Sequence, residues 1–509
     1  MALVRSKSVS LGIVCALVLS GCGLLPSISL EPQFQAAALV GADTWSFTDV
    51  TMRPSLLQAF RTSEVLDHFA GPASAAGIDV RRLPTPSGRI VDVEKDVLPR
   101  LDGEVVVAAS GPIRAPQYTV LVHTNDIEGT LRLFAREPQP RFTKDARGVT
   151  HYESSEVGAF VAGYKNWIVY ATTAALRDQT LDRIDGKGGP SLASDARYRS
   201  AIERLSGDRL GFGYANVAHI LEQSSFGAPD FFTDTLETSG RLAYSFGFED
   251  GPAAGVHVLG LRIEYMPDTP RGGQSTGAGD ALAAMDRLPK ATMVAFAGPS
   301  FNIYSESLDA LSDLTDNKES VAGLRFILAH FAGPHAFGVA APTTIQPAGL
   351  DELAEEDDYA NLVSRFLGGV FVIAKVAPDV DSAELADSFT SLADLVAKNE
   401  AGDSTWQAEV TFDDDWLAFN AVPAPASLEA LPEDLLASDR LYQWTRQGFR
   451  QNGANLYVSL DAIQSIIATQ LPLSDELATV SLFRAIGLSS EVEDQGDVHA
   501  HLTVLIARP

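Results

Sequence analysis

Leu192-Ala193-Ser194-Asp195-Ala196-Arg197-Tyr198 and Leu436-Ala437-Ser438-Asp439-Arg440-Leu441-Tyr442 are one phrase written twice. Both copies sit within a longer shared series. Upstream of each lies an apolar run that opens on tryptophan: Trp167-Ile168-Val169-Tyr170 and Trp416-Leu417-Ala418-Phe419. Downstream lie Leu210-Gly211-Phe212-Gly213-Tyr214-Ala215-Asn216 and Asn455-Leu456-Tyr457-Val458-Ser459-Leu460-Asp461. Each series then closes on Val-His, at Val256-His257 and Val498-His499, opening a last apolar strand. Shared order and near-equal spacing are the mark of an internal repeat of large period. A second match, His68-Phe69-Ala70-Gly71-Pro72 with His330-Phe331-Ala332-Gly333-Pro334, falls in a competing register. The ordered series outweighs that isolated pentapeptide.

Between the two series, Met266 to Asp280 crowds Gly, Ser, Thr and Pro without apolar periodicity, which reads as a linker. The expected organisation is a signal segment over 1–21, a tether over 22–43, a first repeat domain over 44–265, the linker over 266–280 and a second repeat domain over 281–509. Strand-length apolar runs recur at Glu104–Ala109, Tyr118–His123, Val161–Ala171, Leu210–Ala215, Val256–Ile263, Phe371–Val376, Trp406–Phe412, Trp416–Val422 and His499–Ile506. They are rich in Val, Tyr, Phe and Trp and bounded by turn residues. Between them, Leu385, Phe389, Leu392, Leu395 and Val396 share one face of a helix over Ala383–Lys398. Asp381 with Glu384, and Asn125 with Glu128, have capping-box spacing. The Ser-Asp of each repeated phrase reads as an N-cap, with Tyr198, Ile202 and Leu205 on the apolar side of the helix that follows. The fold class is therefore α+β: two similar tandem domains, each an antiparallel sheet with helices packed on one face.

The first residues are an address. Arg5 and Lys7 precede an apolar stretch from Val9 to Leu19, too short to span a bilayer. It ends in Leu19-Ser20-Gly21-Cys22, which resembles the bacterial lipobox. That resemblance implies a lipoprotein: a diacylglyceryl group on the Cys22 thiol, with Cys22 as the first residue after cleavage. Two acyl chains anchor stably where one is marginal. The partner is then a membrane, inner or outer, reached through Cys22, and the location is extracytoplasmic. Cys15 leaves with the signal, so no disulfide remains. The 509-residue chain has 38 Lys+Arg against 66 Asp+Glu, a net charge of −28. Such an acidic chain is a poor match for a phosphate backbone, which excludes nucleic acid as a partner.

The ordered signature resembles an uncharacterised bacterial family, domain of unknown function 3352. The matching features are the N-terminal signal or anchor, Leu98-Pro99, an apolar strand, Ser-Leu-Ala-Ser-Asp-x-x-Tyr, and Leu-x-x-x-Tyr-x-Asn/Asp. The match covers most of 44–509. It implies an architecture and carries no activity and no catalytic motif.

No catalytic motif emerges from the residues themselves. Nine histidines occur, none in a zincin-type spacing. His499 and His501 point to one face of a strand and are the candidate metal pair, short of the three or four ligands that a closed site needs. The acidic runs Asp351–Asp358 and Asp413-Asp414-Asp415 lack calcium-loop spacing and read as solvated surface and turn. Gly186-Lys187-Gly188-Gly189-Pro190-Ser191 lacks the phosphate-loop pattern. Trp167, Trp416 and Tyr198, Tyr214, Tyr442, Tyr457 read as core anchors, because positions kept between diverged copies mark what the fold needs. The expectation is a ligand-binding or protein-interaction module at the cell envelope with no cofactor and no catalytic residues. Its small-molecule, peptide or protein ligand is to be sought between the two domains. The alternative is an envelope hydrolase or metal-dependent enzyme assembled from dispersed residues.

Overall fold

The computed structural model describes residues 35–75, 82–84, 90–113, 115–135, 141–153, 160–205, 208–217, 219, 240–268, 279–300, 331–341, 368–377, 383–389, 406–423, 428, 434–470, 481–493 and 496–507. The strands are β1 (Ser46–Thr51), β2 (Arg82–Pro84), β3 (Ile90–Asp92), β4 (Leu101–Ser110), β5 (Gln117–Thr124), β6 (Arg141–Lys144), β7 (Thr150–Glu153), β8 (Phe160–Tyr164), β9 (Trp167–Ala171), β10 (Gly211–Asn216), β11 (Gly240–Glu249), β12 (Val256–Pro267), β13 (Thr292–Gly298), β14 (Phe331–Ala340), β15 (Gly369–Val376), β16 (Trp406–Asp413), β17 (Trp416–Pro423), β18 (Ala454–Ser459), β19 (Phe483–Val492) and β20 (Val498–Ala507). The helices are α1 (Leu56–Ala75), α2 (Ile127–Phe134), α3 (Ala174–Ile184), α4 (Ala196–Arg204), α5 (Ala281–Asp286), α6 (Arg440–Thr445) and α7 (Leu460–Gln470), with a further helical stretch at 383–389. No described helix is long and apolar enough to cross a membrane.

The chain divides into two compact units, 1–250 with 259–270, and 251–258 with 271–509. The division falls within β12. Of the linker expected over 266–280, Met266 and Pro267 end that strand, and 269–278 lie outside the described residues. In the first unit the antiparallel order is β6-β7-β8-β9-β5-β4-β1-β10-β11. In the second it is β16-β17-β15-β14-β13-β18-β19-β20. The run β8-β9-β5-β4-β1-β10-β11 and the run β16-β17-β15-β14-β13-β18-β19 visit their strands in the same order of sequence.

Helices cover both faces of each sheet, which corrects the one-face expectation. On β4, Val106 and Ala108 share a core with Leu181 of α3 and with Tyr198 and Ile202 of α4. Val105, the residue before Val106, turns to the opposite core, with Leu101, Val122, Ile168 and the α2 residues Leu131 and Leu133. On β15, Phe371 and Ile373 pack with Leu436 and Tyr442, whereas Ala374 and Val376 pack with Leu385 and Phe389 of the 383–389 helix. Successive residues of a strand point to opposite faces, so a sheet covered twice needs unbroken apolar strands. The runs Val105–Ala109 and Phe371–Ala374 are that pattern.

The expected tether also ends early. Ala36–Ala38 form a 3-10 turn, and Ala36, Ala37, Leu39 and Val40 are buried in the first core. Val161–Ala171 is a hairpin rather than one strand, with Lys165-Asn166 as its loop. Of the helix expected over Ala383–Lys398, 383–389 is present with Leu385 and Phe389 buried, and the remainder lies outside the described residues.

Candidate functional sites

The repeated phrase does the same local work in both units. Leu192–Ser194 and Leu436–Ser438 each form a 3-10 turn whose leucine is fully buried. The aspartate that follows caps the next helix: Asp195 accepts from the Arg197 backbone N–H at 2.7 Å, Asp439 from that of Tyr442 at 2.8 Å. Tyr198 then stands edge-on to Tyr214, with ring centroids 5.3 Å apart and planes at 81°, and Tyr442 to Tyr457 at 5.3 Å and 84°. All four tyrosines are buried. Each turn is tied to the segment that leads into the first strand of its unit. Ala42 N–H donates to the Pro190 carbonyl and Leu192 N–H to that of Val40, both at 3.2 Å; Lys290 donates to Asp434 at 2.9 Å and Leu436 to Leu288 at 2.6 Å.

Charged groups meet these tyrosines from different elements in the two units. In the second, the Tyr442 hydroxyl donates to Asp286 Oδ1 at 2.8 Å, and Arg446 grips the same carboxylate with Nε at 2.9 Å and Nη2 at 2.7 Å. In the first, Tyr198 faces Asp49 of β1, Glu104 of β4 and Arg209. Burial, and secondarily Glu104, holds the Asp49 carboxyl well above its usual range. Burial pushes Glu104 up to about 7 against one opposing hydrogen bond from the Ala36 backbone N–H. Sequence reasoning missed all of these. Their elements lie far apart in the chain, and the available signal was an acidic residue within or at the head of an apolar strand, as in Ser-Phe-Thr-Asp-Val and Glu-Val-Val-Val.

A third cluster is exposed. Asp185 accepts from the Tyr164 hydroxyl at 2.7 Å and from Arg147 Nη2 at 2.8 Å, with Lys165 Nζ at 3.1 Å and Lys187 Nζ at 3.6 Å. These bonds hold its carboxyl below the usual carboxylate range, the Tyr164 bond first. Lys165 opens the β8–β9 loop with φ 51°, as Asp414 opens the β16–β17 loop with φ 54°, each in a two-residue hairpin loop before a tryptophan. Asp413, ending β16, and Asp415 of that second loop pair with Arg287 at 3.2 Å and Lys375 at 2.8 Å. Trp167 is buried edge-on to His123 at 4.7 Å, and Trp416 is half-buried under the Arg287 guanidinium at 4.9 Å.

The remaining sequence candidates are placed as follows. His499 and His501 share one side of β20, opposite Glu491 and Ser489. His499 Nε2 lies 3.0 Å from Glu493 Oε1. Among the described residues, no group of three His, Cys, Asp or Glu comes together to hold a metal. Helix α2 is capped by Asp126, which accepts from Gly129 N–H at 2.9 Å, and not by Asn125; Glu128 instead pairs with Lys144 at 3.5 Å. Cys22, Asp351–Asp358 and Asp381 lie outside the described residues.

No family model matches the chain, and no curated protein matches it. Among solved structures it is similar to crystal form III of TP0453, at 13% identity and a TM-score of 0.26, over 47% of this chain and 80% of that one. Crystal form I gives 12% and 0.25, over 46% and 79%. Crystal form IV gives 13% and 0.26, over 46% and 81%. A likeness of that size carries no argument about fold or activity.

Proposed function

We propose that the chain is a lipid-anchored extracytoplasmic protein built from two tandem copies of one α+β unit, and that it works as a ligand-binding or protein-interaction module. The observation that carries the duplication is the repeated junction. The same turn, cap, aromatic pair and two backbone hydrogen bonds occur at matching places in both units, within the same order of seven strands. Two independent folds have no reason to share all of these. The anchor rests on Leu19-Ser20-Gly21-Cys22. The binding reading rests on what the shared residues do. They are spent on capping and packing, which leaves specificity to the surfaces on which the copies have diverged. The likeness to the domain of unknown function 3352 family agrees with such a scaffold and adds no chemistry.

The test is the native mass of the full protein taken from its own membrane. The expected result is the chain with a retained small molecule or a second polypeptide. A bare chain that turns over an envelope substrate would replace this reading with the enzymatic one.

A further inference from the structure

The first unit holds a buried acid pair, and the matching positions of the second unit carry no acid. Asp49 is 2% exposed and Glu104 4% exposed. Asp49 lies opposite Val106, and Thr51 opposite Glu104, so the two carboxyls form a diagonal pair on one face of β1 and β4. That face is the one covered by the Ala36–Ala38 turn and by α4. The groups directed at the pair are few. The Ala36 backbone N–H donates to Glu104. Tyr198 comes from α4. Arg209, just before β10, supplies a nearby cation, its guanidinium 4.8 Å from the Phe212 ring and its Nη1 donating to the Leu205 carbonyl at 3.2 Å. Asp49 Oδ2 and Glu104 Oε2 accept no hydrogen bond from the described residues. In the second unit, Ala297 takes the place of Asp49, opposite Ala336 and Asn455. Pro334, two residues before Ala336, takes the place of Glu104. Its carboxylate is Asp286, at the end of α5 and 24% exposed, already paired with Arg446.

Two ionised carboxyls against one guanidinium leave a net negative charge in a core, and a buried charge without a partner is expensive. One retained proton removes it. We propose that the Asp49–Glu104 pair is a proton-dependent clasp: while it keeps one proton the N-terminal turn stays seated over it, and loss of that proton opens the turn to admit water. The turn is the cheapest cover to displace, being a short piece near one end of the described chain, whereas β1 and β4 are held by ladders on both sides. It is also the segment that leads back to Cys22. The clasp does not depend on the lipid or on a ligand.

The sign follows from the direction of the shift. A carboxyl raised above its ordinary range gives stability that is complete below that range and is lost as pH rises through its folded value, here about 7 for Glu104. The test is amide hydrogen exchange of the full chain at pH 5.5 and 8, corrected for intrinsic exchange. Protection over 36–45 is expected to fall by roughly 10- to 30-fold between the two, from the part of the shift that lies above pH 5.5. The corresponding segment 284–293 is expected to show no such fall. Glu104→Gln should make protection over 36–45 independent of pH, and Asp49→Asn should shrink the fall without abolishing it, because burial still raises Glu104. Flat protection in the natural chain, or an equal fall in Glu104→Gln, overturns the clasp. If neither variant folds, carboxyl NMR of the natural chain decides: a buried glutamate titrating near 7 supports the clasp, and every glutamate titrating in the ordinary range refutes it.

Discussion

Replacing Tyr442 and Tyr457 by leucine, singly and together, tests whether the repeated phrase is a packing device. Both rings are almost fully buried. Trading a buried aromatic for a smaller apolar side chain is expected to cost about 2–4 kcal/mol, somewhat less than truncation to alanine. An edge-on aromatic pair adds about 0.5–1.5 kcal/mol beyond area burial, and that part is lost once, whichever ring is removed. The double variant should therefore be less damaged than the sum of the singles by that amount, which for 1 kcal/mol is about fivefold in the unfolding equilibrium. The matching set, Tyr198→Leu and Tyr214→Leu, has rings at the same 5.3 Å and nearly the same angle, 81° against 84°. Its coupling should agree within about 0.5 kcal/mol, the usual margin of additivity. A chain of two compact units need not unfold in one step, so the readout is urea-dependent hydrogen exchange resolved for each unit. Additive effects in either pair, or damage that does not stay with the mutated unit, would refute the packing account.

Asp286→Ala should destabilise the second unit by about 2–3 kcal/mol, because it orphans the buried Tyr442 hydroxyl and removes a two-pronged contact with Arg446. Urea unfolding measures it, and Asp286→Asn should recover part of the loss. Burial lowers the His335 imidazole to about 3, so the second unit should be fully stable above pH 6.5 and weaken as pH falls below 6.5 toward 3, opposite to the first unit. An acid titration of exchange protection in β14 checks this, and His335→Phe should abolish it. Replacing His499 and His501 by alanine should leave the metal content of the purified protein unchanged by elemental analysis; loss of a stoichiometric metal would restore the metal-enzyme reading.

How much of this was legible depended on whether a feature is local. The capping role of Asp195 and Asp439 and the apolar face of α4 follow from neighbouring residues, and the structure has them as read. The pentapeptide His-Phe-Ala-Gly-Pro shows the limit of local pattern. Its first copy lies within helix α1, and Phe331 to Pro334 of the second lie in strand β14, so tertiary context chose the conformation. Val161–Ala171 hid a hairpin because Lys165 adopts a left-handed backbone that glycine or asparagine usually signals. The cap at Asp126 rather than Asn125 is a one-residue difference that spacing rules do not resolve. The second layer of helices was readable in principle, since strands apolar on both sides announce two covered faces. The acid pair was not. Asp49 and Glu104 become neighbours only when β1 inserts between β4 and β10, and no sequence period reports that pairing.

The most direct test of the anchored, extracytoplasmic account is the mass of the N-terminal peptide from protein recovered from its native membrane. The account predicts a peptide that begins at Cys22 and carries a diacylglyceryl thioether, absent from a Cys22→Ser chain. A peptide that retains residues 1–21, or an unmodified Cys22, would contradict it.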